Sequence, residues 1–252
     1  VEMLTLNHKV KVSKVISDTL GRISRESGTR ILMYHSLGPA VDNDRYGIYS
    51  MDEDVFFSQM RWLVDTVDIN KEGLLGESEK SNEVIITFDD GFSDTYTVAA
   101  PIMQNLGIPF NVFVSPALIE SNDKRYLNRS ALLELSRLQG CKIGAHGYSH
   151  CRLTKCSDED LQTELEHSKL WLEDLLSIPI DMMSYPHGAV DQRVRNAVQS
   201  AGYKTAVTSK PGANSSKVDN LMLNRTDIWS IDDMKVFRQK VNGHWDWMRW
   251  VV

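Results

Sequence analysis

The sequence predicts an α/β protein, a (β/α) barrel with about seven parallel strands in one main domain. Three observations carry this reading. Seven short β-rich runs recur along the 252 residues. Segments of helical periodicity lie between most of them. No Pro/Gly/Ser linker divides the chain convincingly. Strands that alternate with helices imply crossover units, because parallel strands need a connecting element between them. An open doubly wound sheet is the other arrangement compatible with this pattern. Its dinucleotide-binding form lacks support, since no G-x-G-x-x-G follows the first strand and no G-x-x-x-x-G-K-[ST] occurs.

In chain order the strands are Arg30–Tyr34, Val84–Phe88, Phe110–Val114, Lys142–Ala145, Asp181–Tyr185, Tyr203–Thr208 and Leu221–Arg225. The first helix, Asp52–Val67, places Val55, Phe56, Met60, Leu63 and Val67 on one stripe. The second, Asp158–Leu176, carries Leu161, Leu165, Leu172 and Leu176. Ser157 is its N-cap, and Asp158, Glu159 and Asp160 suit the positive end of the helix dipole. The third, Asp191–Gly202, ends on a glycine fit for a helix C-terminus. The segment before Arg30 reads as a helix packed outside the barrel. The domain division is therefore 1–29, a helical extension, and 30–252, the barrel.

Composition bounds the function. Hydrophobic residues make up 42% and charged residues 25%, which is ordinary for a globular protein and excludes disordered, collagen-like and coiled-coil classes. The net charge of −6 argues against nucleic acid as a partner, because phosphate binding calls for a basic surface. No apolar run approaches the ~18–20 residues that span a bilayer. The cysteines Cys141, Cys151 and Cys156 are odd in number, which disfavours a disulfide framework and favours a reducing compartment. Residues 1–28 hold no apolar stretch of signal-peptide type. Cytoplasmic localisation is the expectation, with processing left open by a start at Val1.

Functional groups of α/β proteins gather at the C-terminal ends of strands. Those ends carry His35, then Asp89-Asp90, Ser115, His146, and Tyr185-Pro186-His187-Gly188. Two adjacent carboxylates at a turn made by Gly91 repel unless a cation stabilises them. A turn with two solvated aspartates is the plainer alternative. His146 and His150, three residues apart, can reach one ion from successive turns of a loop. With one aspartate they form a His₂Asp set with open positions for water, the catalytic pattern for Zn²⁺.

Thr87-Phe88-Asp89-Asp90-Gly91, then His146-x-x-x-His150, then Tyr185-Pro186-His187-Gly188 resemble the motifs of the polysaccharide deacetylases, carbohydrate esterase family 4. The resemblance spans roughly Arg30 to Arg225. It implies a distorted (β/α) barrel and a metal-dependent deacetylase acting on an N-acetylated sugar in a glycan or glycan precursor. By position, Asp90, His146 and His150 would bind a divalent metal, with zinc preferred and cobalt or nickel as alternatives. Asp89 would be the general base. The backbone N–H of His187, where the family usually has Tyr, would face the oxyanion. The family's late Leu-x-His is missing, and His244 stands in a different context. Ile31-Leu32-Met33-Tyr34-His35 instead resembles the permuted branch of exopolysaccharide (poly-N-acetylglucosamine) deacetylases, which assigns His35 the role of general acid.

By the same resemblance Arg225 would brace Asp89 from a strand end, with an ordinary surface arginine as the equal alternative, and Asp94 would hydrogen-bond the loop or start a helix. Asp123, Lys124, Arg125 and Tyr126 read as a polar loop that touches a sugar. Trp229, Trp245, Trp247 and Trp250 read as covering the barrel or forming an oligomer contact in preference to stacking on sugar. Rival readings are a hydrolase of a non-glycan amide and a glycan-binding pseudoenzyme.

Overall fold

The structure, a computed structural model, describes residues 13–14, 17–19, 27–38, 44, 47–75 and 83–250. Its strands are β1 (Arg30–Tyr34), β2 (Ser36–Leu37), β3 (Ser50–Met51), β4 (Val84–Phe88), β5 (Phe110–Val114), β6 (Cys141–Ala145), β7 (Met182–Ser184), β8 (Thr205–Val207) and β9 (Thr226–Asp227). Seven of them form one curled parallel sheet in the order β8-β7-β6-β5-β4-β1-β9, with β2 and β3 paired apart. This is a distorted (β/α) barrel. The strands β1, β4 and β5 are buried along their whole length, as a sheet covered on both faces requires.

The helices are α1 (Glu53–Thr66), α2 (Ala100–Leu106), α3 (Pro116–Glu120), α4 (Arg129–Ser136), α5 (Asp158–Leu176), α6 (Gln192–Ser200) and α7 (Met234–Val241). A π-helical turn, Thr95–Ala99, runs directly into α2. Asp52, Ser157 and Asp191 cap α1, α5 and α6, each accepting backbone N–H bonds from the first turn. The buried face of α1 is Phe56, Gln59, Met60 and Leu63. Gln59 is tolerated there because it accepts the Tyr34 hydroxyl at 2.8 Å.

One strand differs from expectation. Leu221–Arg225 is not a strand of the sheet, and the seventh strand is the two-residue β9 beyond it. The physical reason lies in hydrogen bonding. Residues 220–223 run beside β8, with Leu223 N–H donating to Ala206 and Thr208 N–H donating to Leu223. The chain then crosses to β1, where Ile228 N–H donates to Met33. This segment therefore spans from one edge of the sheet to the other and closes the gap. Most of the expected extension 1–29 lies outside the described residues. Within it, 13–14 and 17–19 are helical, and Lys14 and Asp18 pair with Asp233 and Lys235 at α7. Among the described residues no helix is long and apolar enough to cross a membrane.

Candidate active site

The C-terminal ends of β1, β4, β6 and β7 open onto one cavity of about 390 Å³. His35, Asp89, Asp90, His146, His150 and His187 all line it. Parallel strands bring these ends together although the residues are up to 152 positions apart in the sequence. Three of the five non-glycine residues with positive φ among those described are Asp90 (69°), His150 (62°) and His187 (57°). Such backbone costs energy, and its concentration at one cavity marks a site held in place by its surroundings.

Asp90 lies between the two histidines of the loop after β6. Its Oδ1 is 3.3 Å from His146 Nε2 and 3.0 Å from His150 Nε2. One donor atom from each of the three lies within 4.8 Å of the others. Two ligands each ~2.1 Å from a tetrahedral ion stand about 3.4 Å apart, so the set fits a divalent cation. The histidine tautomer fits as well. His146 Nδ1 lies 2.8 Å from the Ser184 carbonyl, which can only accept, leaving Nε2 free to ligate. Burial alone would raise the Asp90 carboxyl, but its bonds to His146 and His150 and the charge of His35 hold it well below the carboxylate range. Burial likewise disfavours charge on His146, yet Asp89 and Asp90 raise its pKa. The protons so retained are those that a bound cation displaces. Glu164 fixes the loop by accepting the N–H groups of Tyr148 and Ser149 at 2.8 and 2.9 Å.

Asp89 is held differently. Arg225, fully buried, clamps it with two bonds, Nη1 to Oδ1 at 2.7 Å and Nη2 to Oδ2 at 2.6 Å. Ser184 Oγ accepts from the same guanidinium at 2.7 Å and donates to Asp89 Oδ2 at 3.0 Å. Arg225 also donates to the Thr208 carbonyl and to Thr87 Oγ1. Burial pushes the Asp89 carboxyl up most strongly, but the charges of Arg225, His146 and His35 and the hydrogen bonds from Arg225 together keep the group below its ordinary range. Asp89 Oδ2 lies 3.9 Å from His146 Nε2, beside the Asp90–His146–His150 cluster without joining it.

His35 faces the cavity with its ring 4.4 Å from that of Tyr49, and its buried Nδ1 has no hydrogen-bond partner among the described residues. Asp227, at the end of β9, lines the same cavity; its Oδ2 accepts from Trp229 Nε1, and its buried Oδ1 has no partner among the described residues. The His187 ring lies 4.5 Å from that of His150, and its Nε2 is 3.1 Å from the His150 carbonyl. Burial and the charge of His150 lower the His187 pKa. Asp94 begins the Thr95–Ala99 turn and accepts Ser36 Oγ at 2.5 Å. No hydrogen bond among the described residues joins it to Asp90, His146 or His150.

Of the polar loop, Arg125 and Tyr126 reach the cavity, with Tyr126 stacked on Phe92 at 5.1 Å. The tryptophans do not line it, and His244 sits beside α7, away from the cavity. Sequence reasoning gave no role to Ser184 or Asp227. Ser184 had no signal beyond standing before Tyr185, whereas Asp227 stood two residues past a strand-end arginine.

Comparison with known proteins accounts for this combination of parallel barrel and histidine–aspartate cluster. The chain belongs to the polysaccharide deacetylase family, whose pattern matches residues 76–206. Its class is thus that of carbohydrate deacetylases. Among individual relatives, it is 28% identical over 228 residues to the Bacillus subtilis protein YxkH, named for the same family, covering 87% of this chain and 78% of that one. It is 28% identical over 127 residues to the peptidoglycan-N-acetylglucosamine deacetylase of Bacillus cereus, covering 50% of this chain and 56% of that protein. Its fold is that of the Streptococcus pyogenes deacetylase PplD, solved with acetate, at a TM-score of 0.73 and 23% identity over 86% of this chain and 99% of the other. IcaB from Ammonifex degensii shares the fold at a TM-score of 0.72 and 19% identity, over 88% and 98% of the two chains.

Proposed function

We propose that this chain is a divalent-metal-dependent deacetylase that removes acetyl from an N-acetylated sugar in a glycan or glycan precursor. The observation that carries the reading is the separation of two aspartates by partner, Asp90 to two imidazoles and Asp89 to Arg225. Asp90, His146 and His150 hold the cation, zinc by preference on the His₂Asp donor set. Bound there, it supplies the charge that acidifies a water near neutral pH and polarises an acyl carbonyl.

Asp89 takes the proton of the attacking water as the water oxygen bonds to the acetyl carbon. Arg225 keeps that carboxylate ionised and aimed, and Ser184 fixes its second oxygen. His35 gives a proton to the sugar nitrogen as the C–N bond breaks, releasing acetate and a free amine. The His187 backbone N–H, set by its positive φ, faces the oxyanion that forms between these events. Acetate in the related PplD structure suits such a product. The permuted order, with Tyr34-His35 at the end of the first strand, supports a place beside the exopolysaccharide deacetylases.

Acetate release from a panel of N-acetylated oligosaccharides tests the reading. Chelation is expected to abolish release, and Zn²⁺ or Co²⁺ to restore it. Full activity of the chelated protein, or no release from any acetylated glycan with metal added, overturns it.

A further inference from the structure

The turn after His150 carries two of the three cysteines of the chain, and neither has a part in the chemistry above. Cys151 and Cys156 are both half-buried, and their sulfurs lie 3.2 Å apart. A disulfide needs ~2.05 Å, so the two atoms must close by only about 1 Å. The third thiol, Cys141, is buried in the core at the start of β6.

The chain between the two sulfurs is already folded to bring them together. Leu153–Lys155 forms a 3₁₀ turn whose Leu153 side chain is wholly buried. Lys155 N–H donates to Arg152 and Cys156 N–H to Leu153, drawing the ends of the turn inward. From outside, Arg193 Nη2 donates to the Cys156 carbonyl at 3.1 Å and Nη1 to Asp158 at 2.7 Å. The entropy of closing this loop has been met by packing, which is what makes intramolecular reaction faster than a second attack from solution.

We propose that Cys151 and Cys156 form a reversible disulfide that pins the turn carrying His150. Glutathione disulfide, or another small disulfide, is the oxidant. One cysteine thiolate attacks a sulfur of the oxidant and expels one glutathione thiolate. The other cysteine, its proton given to water, attacks the mixed disulfide and expels the second. Two electrons and two protons thus pass from the pair to two glutathione molecules. The bond shortens the tether of the residue that follows His150, itself held at φ 62°. The consequence for metal retention rests on His150 being a ligand; the bond itself does not.

The folded full-length chain is incubated with glutathione disulfide and digested with trypsin without reduction. Cleavage after Lys142, Arg152, Lys155 and Lys169 should yield Ile143–Arg152 linked to Cys156–Lys169, with Leu153–Lys155 released. Titratable thiols should fall from the 3 cysteines present to Cys141 alone, and dithiothreitol should restore them. Cys156→Ser should give no linked pair. Three persisting thiols, or a glutathione adduct that never resolves into the linked peptides, overturn the bond. Amide exchange across Ser149–Leu153 should be about 10-fold slower in the oxidised form; equal exchange overturns the pinning. Both readouts need neither substrate nor metal, so they return an answer even for a protein inactive on every acetylated glycan.

Discussion

Asp89 and Asp90 are neighbours in sequence with opposite surroundings, and their mutants should separate accordingly. Asp89→Asn is expected to keep one equivalent of metal and lose ~10²–10⁴ in turnover, measured by acetate release and metal analysis on the same sample. Substantial residual activity would end the assignment of Asp89 as base. Removing Arg225 leaves a buried carboxylate without its counter-charge, which costs ~3–5 kcal/mol. Arg225→Met should therefore lower stability in urea by that order. With the guanidinium gone, burial raises the Asp89 pKa, so the acid limb of the activity profile should move to higher pH. Arg225→Lys should restore part of both. Asp94 is a third case. Burial pushes its carboxyl up to about 6 despite the bond from Ser36. A carboxyl raised in the folded state binds its proton more tightly there than when unfolded, so ionisation opposes folding above pH 6 and the penalty fades as pH falls. Going from about pH 7.5 to about pH 5, the wild type should gain about 1 kcal/mol over Asp94→Asn in chemical denaturation; parallel curves would contradict the shift.

At the scale of elements, the strands with site residues depend on close packing between neighbours. A Cβ added at Gly144 on β6 would lie 2.7 Å from the Phe113 ring and 2.8 Å from the Met182 carbonyl. Gly144→Ala should lower stability by ~1–3 kcal/mol, seen as a lower Tm, and should weaken metal binding because His146 and His150 follow directly. An unchanged Tm would mean that the sheet yields more easily than its packing implies. The same elements show what the sequence makes legible. Strands β1, β4 and β5 are largely apolar runs, interrupted by Arg30, Thr87 and Asn111 and buried along their length, so their bounds can be read from composition. Asp158–Leu176 is equally plain, with its N-cap serine and leucine stripe. The edge strand β9 is Thr-Asp, polar and paired on one side, and nothing local distinguishes it from a loop. Helices α2, α4 and α7, at eight residues or fewer, are too short for periodicity to speak. For the site, His and Asp at strand ends are legible because parallel topology gathers such ends. Ser184 is not, since its bond to Asp89 joins residues 95 apart and depends on register.

For the whole molecule, the core and the proposed cation site are separable. The sheet is filled by apolar side chains that do not include Asp90, His146 or His150, so chelation should stop turnover without unfolding the protein. Added Zn²⁺ should still raise Tm by mass action, worth ~2.7 kcal/mol at 100 times the dissociation constant. His150→Ala should abolish that rise while leaving the metal-free Tm nearly unchanged; a rise that survives would place the ion elsewhere. The crossing of residues 220–228 between the two sheet edges has a consequence for biogenesis. Arg225 follows Asp89 by 136 residues, so a ribosome adding ~5–20 residues per second delivers it on the order of ten seconds later. Until then the nascent sheet holds an acid whose counterion does not yet exist. The strand that completes β1's free edge arrives in the same stretch of chain. Final burial of this end of the sheet must therefore wait for translation of Arg225, and a chain ended before Arg225 should be retained by chaperones rather than released folded.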